Sequence, residues 1–132
     1  MKLKTYLVQL LIAVALVLPM MGCPSGPPTL ALGVWVFTIS TTGGGDQEPA
    51  LTLLAGGQTE TPSPLPPGVS EMFSGVLTWA QNGSAFSLNQ VIGVNNEVLH
   101  TGTVQSSSAM SGTWTRTLGG VGSGTWSAVL LP

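Results

Sequence analysis

From residue 33 onward, apolar and polar side chains alternate in short runs. Gly33 to Ser40 sets Trp35, Phe37 and Ile39 on one face and Val34, Val36 and Thr38 on the other, the two-residue period of a strand. Ala50 to Ala55 is a second run, and Met72 to Ala80 a third, with Phe73, Leu77 and Trp79 sharing a face. Ala85 to Ile92 aligns Phe86, Leu88 and Ile92. Glu97 to Gln105, Met110 to Thr117 and Gly124 to Leu131 complete a set of seven predicted strands. Gln81-Asn82-Gly83 reads as a tight hairpin turn, because Asn-Gly supplies the positive φ angles such turns need. Gly93 to Asn96 and Leu118 to Gly122 read as the loops of later hairpins. No stretch after residue 23 carries a convincing 3.6-residue apolar period, so no helix is predicted there.

A short repeat sharpens the picture. Ser111-Gly112-Thr113-Trp114-Thr115 returns as Ser123-Gly124-Thr125-Trp126-Ser127. Folding the chain about Gly120 places Trp114 opposite Trp126, an aromatic cross-strand pair contributing roughly 0.2–1 kcal/mol. Consecutive strands at this spacing predict an all-β antiparallel meander. Closing it into a barrel of about seven or eight strands abolishes exposed edges. A β-sandwich is the alternative, since alternation does not fix closure.

The amino-terminal pattern is different. Lys2 and Lys4 precede an apolar run from Leu7 to Leu18, broken only by Gln9 and ended by Pro19. A positive start, a short apolar helix and a small-residue exit predict a signal peptide over residues 1–22. The run is about a dozen residues, short of the ~20 that a membrane span needs. Its exit, Met20-Met21-Gly22-Cys23, resembles the lipobox of bacterial lipoproteins. The resemblance implies cleavage between Gly22 and Cys23, with the Cys23 thiol carrying a diacylglyceryl group and the new amino terminus acylated. The other readings are an ordinary secretory cut, for which no Ala-x-Ala site is present, and an unmodified cysteine. Residues 23–31, opening Cys23-Pro24-Ser25-Gly26-Pro27-Pro28, read as a lipidated tether too rich in Pro and Gly to fold alone. Residues 32–132 are the predicted barrel-like domain. Pro24, where lipoproteins kept in the inner membrane typically carry Asp, implies the outer membrane.

Composition closes many chemistries. Three Lys or Arg stand against five Asp or Glu, and cleavage would leave Arg116 alone against all five carboxylates. So little positive charge excludes nucleic acid as a partner. One Cys and one His exclude an internal disulfide and a zinc cluster. No Gly-x-Ser-x-Gly elbow accompanies His100, so a Ser-His triad is not in view. His100 reads as a surface or satisfied core histidine. Asp46, Glu48 and Glu60 fall in Gly- and Pro-rich loops, and Glu71 and Glu97 begin strands. They read as solubilising charges, and Asp46 with Glu48 make poor calcium ligands without more oxygen donors. The glycines at 43–45 and 119–122 precede strands rather than helices, so they predict hairpins and not phosphate loops. Residues 61–68 form a proline-rich connecting loop.

Gly33-Val34-Trp35 resembles the Gly-x-Trp of lipocalins and related calycin barrels, and several bacterial lipoproteins carry lipocalin-like domains. The resemblance implies a small barrel in which a late Arg packs over that Trp, and Arg116 is the candidate. The bland reading of Arg116 is a solvated rim residue. Two functional classes follow, neither catalytic and neither with a cofactor or metal. One is a structural or interaction protein of the cell envelope. The other is a binder of a small apolar ligand, faced by Trp35, Phe37, Trp79 and Phe86. In both, the N-terminal lipid makes the membrane a partner.

Overall fold

The computed structural model describes residues 26–132. The predicted signal segment, Gly22 and Cys23 lie outside the described residues. The described chain is all-β: β1 (Gly33–Thr41), β2 (Pro49–Leu53), β3 (Thr59–Glu60), β4 (Glu71–Met72), β5 (Val76–Asn82), β6 (Ala85–Val91), β7 (Glu97–Ser106), β8 (Ala109–Leu118) and β9 (Ser123–Leu130). One 3-10 turn at Ala55–Gly57 joins β2 to β3. All strands belong to one sheet, in the order β3-β2-β1-β9-β8-β7-β6-β5, with β4 alongside β2. Every ladder on that path is antiparallel, and only the two-residue β2–β4 pairing is parallel. The single curled sheet is barrel-like, which decides against the sandwich.

The first and last strands of the path, β3 and β5, share no ladder, so the barrel is nearly rather than fully closed. Side chains cross the gap. Thr59 Oγ1 donates to the Leu77 carbonyl at 2.9 Å. Trp79 Nε1 donates to the carbonyls of Leu54 (3.0 Å) and Gln58 (2.9 Å). Further along the gap, β4 pairs with the start of β2, and Gln90 Nε2 donates to the Ser74 carbonyl at 2.9 Å.

Alternation explains the core. Trp35, Phe37 and Ile39 from β1 point inward with Phe86 and Leu88 from β6, Met110 and Trp114 from β8, and Trp126 and Ala128 from β9. A run of ring contacts crosses the interior: Trp79–Phe86 (6.3 Å between centroids), Phe86–Trp126 (5.6 Å), Trp126–Phe37 (5.6 Å), Phe37–Phe73 (5.2 Å) and Phe73–His100 (5.9 Å). The barrel's centre is therefore filled with side chains, as small barrels are.

Three sequence expectations need correcting. The strand expected over Met72–Ala80 is two strands, because Gly75 takes a φ of 84° and lies against the Val91 carbonyl. The turn after β5 is centred on Gly83-Ser84, with Asn82 paired to Ala85, and Gly83 alone supplies a positive φ (61°). Trp114 does not face Trp126. Trp114 pairs with Gly124 and Trp126 with Gly112, so each indole of the repeat lies across from the other copy's glycine. The slip is two residues, an even number, so both tryptophans keep the predicted inward face.

The two ends differ. At one end, the chain entering β1 packs across the opening. Leu30 is buried, its amide donates to Gln81 Oε1 (3.1 Å), and Gln81 Nε2 donates to the Pro28 carbonyl (2.7 Å). Ala31 donates to the Ser107 carbonyl at 3.0 Å, and Trp35 Nε1 donates to the Ala31 carbonyl at 3.1 Å. This tether end is shut. The other end, reached by the loops after β1, β6 and β8, opens into a pocket.

Candidate functional site

The pocket at the open end holds about 510 Å³, within the ~300–1,000 Å³ range of ligand sites. Its apolar wall is Ile39, Phe73, Ile92 and Trp114, and its polar groups are Glu71, Gln90, His100 and Arg116. Strand period puts the last two there. Val98, His100, Gly102 and Val104 share the inward face of β7, and Met110, Gly112, Trp114 and Arg116 that of β8. His100 pairs with Trp114 and Val98 with Arg116, so His100 and Arg116 are diagonal neighbours on one face.

The polar groups are held in specific ways. Trp114 Nε1 donates to the Ser40 carbonyl at 3.0 Å, fixing the indole against β1. Gln90 is buried, and its amide nitrogen is committed to Ser74, which turns Oε1 toward His100 Nε2 at 3.4 Å. An amide oxygen can only accept, so this arrangement assigns the imidazole proton to Nε2 and leaves Nδ1 an acceptor. Nδ1 is buried and has no hydrogen-bond partner, and the same is true of Arg116 Nε. On the rim, Glu71 Oε2 accepts from the Glu48 amide at 3.1 Å, and Asp46 Oδ1 accepts from Ser40 Oγ at 2.7 Å. Among the described residues, no three His, Cys, Asp or Glu side chains converge to hold a metal ion.

Burial lowers the pKa of His100 from 6.5 to about 4, because the charged imidazolium would lose its hydration. At neutral pH the ring is uncharged, and Arg116 is the pocket's only cation. A pKa lowered by folding means the unfolded chain binds the proton more readily. Stability is full above pH 6.5 and falls as the pH approaches 4, by about 3 kcal/mol from this group at pH 4. His100 is the only histidine, so its imidazole resonances are unambiguous by NMR. They are expected to hold the neutral position until the pH nears 4, while the urea midpoint drops across the same window. A midpoint of titration near 6.5 would contradict the buried placement.

The residues singled out from sequence lie elsewhere. Trp35, Phe37 and Phe86 are inside the filled core, at 0%, 0% and 2% exposure, and none lines the open pocket. Trp79 is half-buried at the barrel's gap, where it borders a second cleft with Gly57 and Thr59. Arg116 does not cover Trp35. Trp35 pairs with Leu130 at the tether end, whereas Arg116 pairs with Val98 at the open end. His100 is buried, but only one ring nitrogen has a partner. Sequence reasoning missed the grouping of Gln90, His100, Trp114 and Arg116. A signal was present: each shares parity with apolar core positions of its own strand. No family model matches the chain, and neither a curated protein nor a solved structure is significantly similar to it.

Proposed function

We propose that this is a non-catalytic lipoprotein of the bacterial cell envelope, anchored through Cys23, whose barrel binds a small molecule at its open end. The observation that carries the reading is the asymmetry of the barrel. The chain from Pro28 to Ala31 packs across one end, leaving there only a shallower surface cleft along Leu30, Leu32, Trp79 and Gln81, and a more enclosed ligand-sized pocket opens at the other. A lipid at Cys23, a few residues before Pro28, would hold the shut end toward a bilayer and leave the pocket facing the envelope space. The outer membrane is the proposed location. With the core filled, the pocket rather than the barrel interior is the proposed binding region. The exposed apolar tips Val94 and Val121, on loops at the open end, support contact with other envelope components as a second reading.

The test is a titration of the full chain, held in nanodiscs, with the neutral amphiphile phenylbutanamide, empty nanodiscs serving as the blank. Trp114 is the tryptophan of the pocket. A saturable change in tryptophan emission is expected, and Trp114→Phe should remove most of it. A flat response at every concentration, both to this amide and to its acid phenylbutyrate, would overturn the binding reading and leave the interaction reading.

A further inference from the structure

The geometry points to an organic monoanion as the pocket's occupant, its acidic head on Arg116 and its apolar body against Trp114 and Phe73. This rests on the binding reading above. Arg116 is the only Lys or Arg after Lys4, and it stands in the one open end of the barrel rather than on an outer strand face. Its Nε is buried without a hydrogen-bond partner. The side chain as a whole is half-buried on the pocket wall, and a guanidinium carries five N–H donors in a fixed fork, so a carboxylate entering the pocket meets donors beyond the enclosed Nε.

The surroundings fit the head group. Arg116 lies along bare glycines of the loop after β8. A side chain at Gly120 would sit 3.7 Å from its Cδ and Nη1, and one at Gly122 would meet the Trp114 ring at 3.3 Å. Trp114 and Arg116 are successive inward positions of β8 and both line the pocket, so one small molecule reaches both. Beside them His100 is buried and uncharged at neutral pH, so it neither adds a second cation nor repels the first. Glu71 stands on the β4 wall with one carboxylate oxygen taken by the Glu48 amide, so the charges of the pocket occupy different walls. In a half-enclosed mouth, a guanidinium–carboxylate pair is stronger than at an open surface. The volume, about 510 Å³, accepts an acid with a slim or flat apolar body.

The experiment compares phenylbutyrate with its uncharged counterpart phenylbutanamide on the same nanodisc-held full chain, by tryptophan emission. The acid is expected to bind roughly tenfold more tightly, a margin that shrinks as salt is added. Arg116→Gln should bring the acid down to the affinity of the amide, and Arg116→Lys should keep part of the preference. Equal affinities for acid and amide in the unaltered chain would overturn the monoanion assignment while leaving the binding reading intact. A saturable response to neither would overturn both. Should Arg116→Gln unfold, the unaltered chain and Arg116→Lys still decide the matter.

Discussion

Replacing Gly112 by valine is expected to leave no stably folded barrel. By intrinsic preference valine suits a strand better than glycine does, so propensity alone predicts a gain. Packing predicts the reverse. Gly112 of β8 pairs with Gly102 of β7 and faces Trp126 of β9. A Cβ at Gly112 would overlap the Thr101 carbonyl oxygen and stand 2.5 Å from Gly102 Cα. At Gly102 a Cβ would overlap the Ser111 carbonyl and meet the Trp126 ring at 2.8 Å. Neither obstacle is the free end of a flexible side chain, so relief means parting two strands. Distortion of that kind exceeds the ~1–3 kcal/mol of ordinary overpacking and consumes most of a small domain's ~5–15 kcal/mol. Gly45→Val is the control: nothing lies within 4 Å of a Cβ there, and its effect should stay within about 0.5 kcal/mol. Urea unfolding followed by circular dichroism checks both. A Gly112→Val variant that unfolds at the wild-type midpoint would mean the two strands do not approach as described.

Much of this fold can be read from the chain, for a physical reason. Alternation assigns Trp35, Phe37 and Ile39 to one face without knowledge of any neighbour, and the structure buries all three. Where the strands meet is harder. The slip in the Trp114–Trp126 pairing came from placing the turn at Gly120. Strand registry is set by the closed loop, where Arg116 donates its amide to the Gly122 carbonyl. The broken third strand came from Gly75, whose reason for being glycine is the Val91 carbonyl of another strand. The pocket was the least legible part. Gln90, His100, Trp114 and Arg116 lie on three adjacent strands, and only the register of those strands brings them side by side at one opening. An inward parity shared with core residues is all that sequence offered for them.

The second large effect concerns attachment. Loss of the signal segment would remove both lysines, leaving one cation against five carboxylates, 1 − 5 = −4. Such a chain has no net electrostatic attraction to anionic lipid, so the proposed attachment would depend on the acyl chains. A single chain binds only marginally, with an association constant of roughly 10⁴ M⁻¹, whereas two or three hold firmly. A variant that carries residues 24–132 behind an ordinary cleavable secretory leader is therefore expected in the soluble fraction of expressing bacteria, and the native chain in the membrane fraction. Residues 26–132 are otherwise unaltered, so the released protein should keep its urea midpoint. Retention of the variant on membranes through salt and carbonate washes would mean that something other than acyl chains holds it.

The most direct measurement is the intact mass of the protein recovered from those membranes. A lipid-anchored protein is expected to begin at Cys23 and to be heavier than residues 23–132 by a diacylglyceryl group and an amide-linked acyl chain. A mass equal to the bare polypeptide, whether cut at Cys23 or elsewhere, would contradict it.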